Sequence, residues 1–458
     1  MRPSLMRRRL TPDNIWCPAH QKRRECMKRW MLLLALAAVQ SPPLYAQTPA
    51  KAVATPAKPM DLRIEQLPAV LAGSLAYDEF FAPSFLAVVP ATQLKLLSDQ
   101  FIAQHGKPLK VISVEPQGPN SATIKIEYEK AIATAQISVE PSAPNKVVGL
   151  LITGFDMKGD SPAKIDAAFA ELPGKAGYLV EKIGADGRRT QIAGRATGQQ
   201  FAIASTFKLY VLAELASQVQ AGRRSWSDVV PILANSHSSS ATVNWPRTTP
   251  VTLQTLATWM ISVSDNASTD ALMRVLGRDA VERKLATIGH SDPDKALPML
   301  NTVEAFALKS NAELRTRFQK ANEAEQRNIL DKEAASLGFD KVDLVNLGSG
   351  PVAIDSIEWF ASPSDIANLL GNIRQTGSQT ALDVMAVNKG VAPASANKWQ
   401  YLGYKGGSEP GVISMSFLAQ SKAGDWYVIT GSWNDTTKEV QNDAFAALMA
   451  RLLDSVAG

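Results

Sequence analysis

The sequence predicts an α+β protein: an α/β sandwich of antiparallel sheet and helices, preceded by a smaller α+β domain. Three observations carry that expectation. Strand patterns cluster between residues 108 and 156, then return at both ends of the remaining chain. Helical periodicity dominates the long interval from Ser205 toward Leu453. Strands that far apart in the chain imply one sheet closed by distant segments, with a helical region alongside. Over 458 residues the composition is 45% hydrophobic and 20% charged, that of an ordinary globular protein of two or three domains.

Residues 1–46 read as a leader. They hold nine Lys/Arg and two acids, so the formal charge of +5 becomes −2 beyond residue 46. The basic character belongs to the leader, and a nucleic-acid partner is not expected, because a phosphate binder carries its basic patch on the folded part. Lys28 and Arg29 precede an apolar run from Met31 to Val39, then a small residue, Ala46, before Gln47. That order is a secretory signal peptide, and the run is too short to span a bilayer. Translation is expected to start at Met27, the competing reading being a signal with a long basic start. Both cysteines, Cys17 and Cys26, precede Met27. The mature chain would carry no thiol, hence no disulfide and no stable membrane anchor after cleavage. It would be periplasmic or secreted.

Residues 47–60, rich in Ala, Pro and Lys, read as a linker. In the expected front domain, 61–156, Leu94, Leu97 and Phe101 recur at helical spacing before Gly106 and Pro108 stop the helix. Four strand patterns follow. In the second, Ile124, Ile126 and Tyr128 alternate with Lys125, Glu127 and Glu129. The larger domain, 160–458, opens with a helix and a hairpin across "GADGR". It ends on "GVISMSFLAQ", "DWYVITGSW" and a helix with Phe445, Leu448, Met449 and Leu452 on one face.

The chemistry centres on "STFK". Three Ser-x-x-Lys matches occur, about as many as chance gives. Ser161 reads as a helix N-cap followed by Pro162, and Ser395 lies in a polar loop. Ser205 differs, because it opens an apolar helix, Leu209 to Val219, that ends near Gly222. Positions i and i+3 share a face, so Lys208 can reach Ser205. An apolar setting lowers the lysine pKa and makes a neutral amine available as a base. Two further elements follow in order. "SDN", Ser264 to Asn266, occurs once, and by itself it also reads as a helix cap. Lys405-Gly406-Gly407-Ser408 precedes a strongly β segment, and by itself it also reads as a hairpin turn.

Taken together and in this order, the three resemble the S-x-x-K, S-D-N and K-T-G set of class A β-lactamases and penicillin-binding proteins. From about residue 160 to the end the element order is similar to that β-lactamase/transpeptidase fold. The front domain resembles that of a two-domain subgroup that includes the β-lactamase-like esterase of clavulanic acid biosynthesis. The resemblance implies that Ser205 is the acylated nucleophile and Lys208 its base, with Ser264 relaying protons to the leaving group. It implies that Asn266 binds a substrate amide, Lys405 attracts a carboxylate, and Gly407 and Ser408 line the substrate site. The oxyanion hole would be the N–H groups of Ser205 and Ser408. The substrate would be a small-molecule β-lactam or related ester, and no metal or organic cofactor is implied. Of the four histidines, His20 and His105 lie in the leader and front domain, and His237 and His290 have no motif context.

Two departures bear on turnover. No E-x-x-L-N element lies between Asn266 and Lys405. Glu304 stands at a comparable point as a candidate deacylating base, against the plainer reading of an acid near a helix start. Gly406 supplies no hydroxyl for a carboxylate, a lack Ser408 could compensate. A charged helical stretch near residues 313–336 reads as a solvated face or a pocket rim. The first functional reading is an exported β-lactamase-type serine hydrolase. The second is a penicillin-binding module that acylates but turns over poorly. The third, a non-catalytic scaffold, is opposed by the intact Ser205, Lys208 and Ser264 set. N-terminal sequencing of the exported protein is expected to read from Gln47, and retention of Trp30 to Val39 would refute the leader assignment.

Overall fold

The structure is a computed structural model that describes residues 60–457 except 233–244, 247, 344–346 and 349. The leader, both cysteines, His20, His237 and nearly all of the linker lie outside the described residues. Among the described residues no helix is long and apolar enough to cross a membrane.

The front region begins with α1 (Asp61–Leu71) and α2 (Ala91–His105), and continues as β1 (Pro108–Gly118), β2 (Ser121–Tyr128), β3 (Ala131–Val139) and β4 (Val147–Met157). The four strands form one antiparallel sheet in chain order. The alternation read in β2 sets its faces: Ile124, Ile126 and Tyr128 are buried, while Lys125 is exposed. In α2, Leu94 and Phe101 pack against the sheet core, but Leu97 stays exposed and Ser98 and His105 are buried instead. The buried stripe therefore steps 94, 98, 101, 105. Four-residue steps slant an apolar stripe around the helix, and the 94, 97, 101 reading placed it one residue off.

After α3 (Pro162–Ala170) come β5 (Lys175–Ile183) and β6 (Arg189–Arg195). They join β7 (Trp399–Glu409), β8 (Val412–Ser421) and β9 (Trp426–Asn434) in a five-stranded antiparallel sheet of order β7-β8-β9-β5-β6. Trp426 pairs with Ile183 and Asn434 with Lys175, so the two ends of this region close one sheet. One face packs on α3 and the terminal α13 (Asn442–Asp454) through Phe169, Trp433, Phe445 and Met449. The other face receives the helical layer through Leu179, Leu418 and Val428. β8 is covered on both sides, and its serines are paired across the strands, Ser416 with Thr430 at 2.9 Å and Ser432 with Ser414 at 3.1 Å.

The helical layer contains α4 (Lys208–Gln220), α5 (Leu253–Ser262), α6 (Asn266–Leu276), α7 (Arg278–Ile288), α8 (Thr302–Ser310), α9 (Ala312–Lys320), α10 (Glu323–Lys332), α11 (Pro363–Gln375) and α12 (Gln379–Ala386). α4 is buried almost all round and forms its axis. The charged stretch read from the sequence is α9 and α10. They bury only Leu314, Phe318 and Leu330 and otherwise present a polar face, and neither lines the cleft described below.

Candidate active site

The site is built where α4 meets β7. Ser205 lies in a 3-10 turn, Ala204–Phe207, that feeds directly into Lys208 and α4. Side chains three apart eclipse on such a turn, so Lys208 stands behind Ser205. Ala204 is held at φ +43, a backbone conformation a residue with a Cβ rarely adopts. The Glu358 carboxylate holds it there, accepting from Ala204 N at 3.1 Å and from Trp359 N at 2.9 Å. Trp359 in turn stacks on Phe207, with ring centroids 3.9 Å apart and the planes 1° from parallel.

β7 runs against this turn. A Cβ on Gly407 would lie 2.6 Å from Ile203 O and 2.7 Å from Thr206 N, so only glycine allows the strand to approach. Ser408 follows, exposed and at the rim. Beside it Glu409 meets the buried Lys309, whose Nζ also donates to Glu358 Oε1 at 3.2 Å. Burial pulls Lys309 down, but the two carboxylates outweigh it and hold the ammonium above its ordinary value. Burial pushes Glu409 well above the carboxylate range, and the nearby Glu358 adds to the effect. This cluster ties the end of β7 to Ala204. It fixes the distance between the two strands of backbone expected to supply an oxyanion hole. Removing one partner from such a buried cluster typically costs about 3–5 kcal/mol.

Ser264 turns the chain between α5 and α6 at φ +60, a second strained non-glycine residue beside the chemistry. Asp265 caps α6 by accepting from Ser268 N at 2.6 Å, so the capping reading and the site reading of "SDN" both hold locally. Lys208 Nζ donates to Ser264 O at 2.6 Å, Ser264 Oγ at 3.1 Å and Asn266 Oδ1 at 2.6 Å. Lys405 Nζ approaches the same Ser264 Oγ at 3.1 Å and also meets Gly406 O. Both amines are fully buried side chains. Burial pulls Lys208 down to about 7, against Asp270 and Asp265, which favour its charged form. Burial and the Lys208 charge push Lys405 well below its ordinary value. Two ammoniums on one hydroxyl repel, so the pair holds fewer protons than two free lysines.

These residues open on a cleft of about 540 Å³ lined by Ser205, Ser264, Lys405, Gly407, Ser408 and Tyr404 among others. An adjoining cavity of about 480 Å³ shares Asn388, Gly390 and Ala446 with it and reaches Phe101, His105 and Phe155 of the front region. His105 stacks on Phe155, and burial pushes it down to about 4. The largest cavity, about 1000 Å³, lies against α1 and β1 and contains no nucleophile–base pair, so size does not locate the chemistry.

Several expectations change. Among the described residues no hydrogen bond ties Ser205 Oγ to Lys208, because the three donors of Lys208 go to Ser264 and Asn266. Asn266 is buried beneath the cleft and spends its carbonyl oxygen on Lys208, so its contact here positions the base and does not line the substrate space. Glu304 is not a deacylating base in this geometry. It closes a capping box at α8, accepting from Asn301 N at 2.8 Å, and its other oxygen accepts from Arg278 at 2.5 Å. The spacing Asn301-x-x-Glu304 is a capping-box signature that the sequence already displayed. Ser161 caps α3, and Ser395 donates to Asp454 at 2.9 Å. His290 is buried against Phe360 O at 3.0 Å. Three residues went unread: Glu358, Tyr404 and Asp270. Asp270 stands four after Asn266 on one helix face and accepts from Thr302 N at 2.7 Å and Thr302 Oγ1 at 2.8 Å. Among the described residues no cluster suited to a metal ion occurs.

A strained serine at a helix start, two buried amines and a bridging hydroxyl define an active-site-serine hydrolase that works with lysine in place of histidine. Residues 161–388 match the model of the beta-lactamase enzyme family, and the chain is a hydrolase of the β-lactamase type with the fold shared by β-lactamases and penicillin-binding proteins. Solved structures similar to it include a β-lactamase from Chitinophaga pinensis (16% identity, 65% of this chain and 98% of that one, TM-score 0.43). A β-lactamase from Sphaerobacter thermophilus is also similar (19% identity, 64% and 96%, TM-score 0.44), as is PBP-A (17% identity, 64% and 92%, TM-score 0.43). No curated protein matches the chain.

Two outcomes follow from the geometry. Gly407→Ala is expected to lower the rate of Ser205 acylation about a hundredfold, since displacement of a catalytic group by an ångström has that effect. Labelling rates with a fluorescent penicillin, beside a thermal melt, check it. The acylation rate should rise with pH through about 7 as Lys208 loses its proton. Asp270→Asn removes a charge that favours the ammonium, so this limb should move to lower pH by about one unit. A pH profile of kcat/KM in which the limb stays or moves upward contradicts the assignment.

Proposed function

We propose that the chain is an exported hydrolase that is acylated at Ser205 by β-lactams or related esters and then releases the acyl group slowly. The observation that carries this reading is the shared hydrogen bonding of Lys208 and Lys405 to Ser264 Oγ beside Ser205. Neutral Lys208 takes the Ser205 proton as Oγ attacks the carbonyl carbon. The N–H groups of Ser205 and Ser408 receive the developing oxyanion. The proton then passes through Ser264 Oγ to the leaving nitrogen or oxygen, which departs neutral. A neutral amine has only two N–H donors. They stay on Ser264 O and Asn266 Oδ1, and the lone pair is left for the Ser264 hydroxyl or the nucleophile.

Deacylation requires a base that reaches a water beside the acyl ester. Glu304 is committed to Asn301 and Arg278, which leaves Lys208 as the base for both steps. The same commitment favours a second reading, a penicillin-binding module that is acylated and turns over poorly. The front region is assigned a role in substrate access, because its cavity opens onto the cleft and holds no nucleophile–base pair of its own.

Ser205→Ala should abolish labelling by a fluorescent penicillin, with Ser161→Ala and Ser395→Ala unaffected; an adduct mapped to another serine defeats the assignment. Pre-steady-state traces with a chromogenic cephalosporin should show a burst followed by a slow steady rate. Glu304→Gln should change that steady rate by less than about tenfold, or roughly 1.4 kcal/mol of barrier. A fast steady rate that collapses in this variant would restore Glu304 as the base.

A further inference from the structure

The second position of the Lys405-Gly406-Gly407 element lacks a side chain, yet the space above it is filled. A Cβ built on Gly406 would fall inside contact distance of the Tyr404 hydroxyl and lie 2.8 Å from Tyr404 Cζ. Tyr404 and Gly406 are two apart on β7 and so project to the same face. The phenol oxygen therefore stands where a hydroxyl carried by residue 406 would stand.

The ring is held in place on both sides. It lies 5.1 Å from the Phe417 ring at 33°. It also covers Gly390 so closely that a Cβ there would be 2.5 Å from Tyr404 Cε2. The hydroxyl, by contrast, makes no hydrogen bond among the described residues, and Tyr404 lines the same cleft as Ser205. Burial pushes the phenol up to about 12, so at neutral pH it is a donor without charge. Lys405 does not fill that role. Its Nζ is turned inward onto Ser264 Oγ and Gly406 O.

We propose that Tyr404 is a specificity-determining residue whose hydroxyl donates a hydrogen bond to the carboxylate of the substrate, replacing the side chain that Gly406 lacks. The inference rests on the acyl-serine reading of Ser205. It also explains the pairing of residues on β7: a tyrosine at 404 fits only above a glycine at 406, and the two substitutions must arise together.

The test is Tyr404→Phe, which keeps the ring and removes only the oxygen. Acylation rates are measured for a carboxylate-bearing chromogenic cephalosporin and for a neutral ester, p-nitrophenyl butyrate, with a thermal melt of both proteins. A hydrogen bond to a charged group is a strong one, so kcat/KM for the cephalosporin should fall about tenfold or more, mostly through KM. The ester should change by less than about twofold. Equal losses on both substrates would mean a packing role and overturn the proposal, as would no loss on either. A Ser408→Ala variant that loses the preference while Tyr404→Phe keeps it would give the contact to Ser408 and also overturn it. Restoration of the preference in Tyr404→Ala by adding Gly406→Thr would support it. If wild-type protein is acylated by neither substrate, the acyl-serine reading itself has failed, a result distinct from any of these.

Discussion

Two lysine amines, both removed from water, meet at one hydroxyl, and the rest of the catalytic domain exists to make that tolerable. An isolated buried ammonium is expensive, and two side by side are more so. The fold answers with oxygen acceptors: Ser264 O, Ser264 Oγ and Asn266 Oδ1 for Lys208, Ser264 Oγ and Gly406 O for Lys405. Asp270 and Asp265 contribute longer-range attraction. The residual cost is what lowers the amine to a pKa useful for proton transfer. The same burial that destabilises the charged lysine thus creates the base.

Holding that arrangement requires three chain segments to meet at fixed separations, and each contact uses a local device. The start of α4 presents Ser205 through a strained Ala204 that the Glu358 carboxylate holds in place. The α5–α6 turn presents Ser264 through a strained backbone and an Asp265 cap. β7 comes alongside because Gly407 has no side chain to keep it away. Lys309, with Glu358 and Glu409 on either side, then locks the first and third of these together. Strain stored at functional positions and balanced by buried polar contacts is the expected pattern for a preorganised site.

Turnover is where the chain departs from the three-motif pattern it carries. The candidate loop acid is built into a helix cap and an ion pair, and the anion-facing hydroxyl moves from residue 406 to a neighbouring tyrosine. Both changes preserve the attack on a carbonyl and alter what happens afterwards or what is selected beforehand. A cleft continuous with a cavity against the front region is consistent with substrates larger than the reacting group.

The sequence by itself determined the fold class and the residues that carry charge and nucleophilicity. Period-two alternation fixed the face of β2, and strand patterns at both ends of the larger domain fixed which segments close the sheet. Ser205, Lys208, Ser264 and Lys405 could be singled out because a lysine on an apolar helix and an ordered set of short motifs are local features. The tertiary structure decided what those residues touch. Lys208 bonds to Ser264 and Asn266 instead of Ser205, Asn266 lies below the cleft, Glu304 caps a helix, and Tyr404 fills the space over Gly406. Each of these depends on atoms brought together from segments tens to hundreds of residues apart, or on how a side chain leans across its own strand. Spacing along the chain records which groups are available; only packing sets their distances, and hydrogen bonds and pKa shifts are functions of distance.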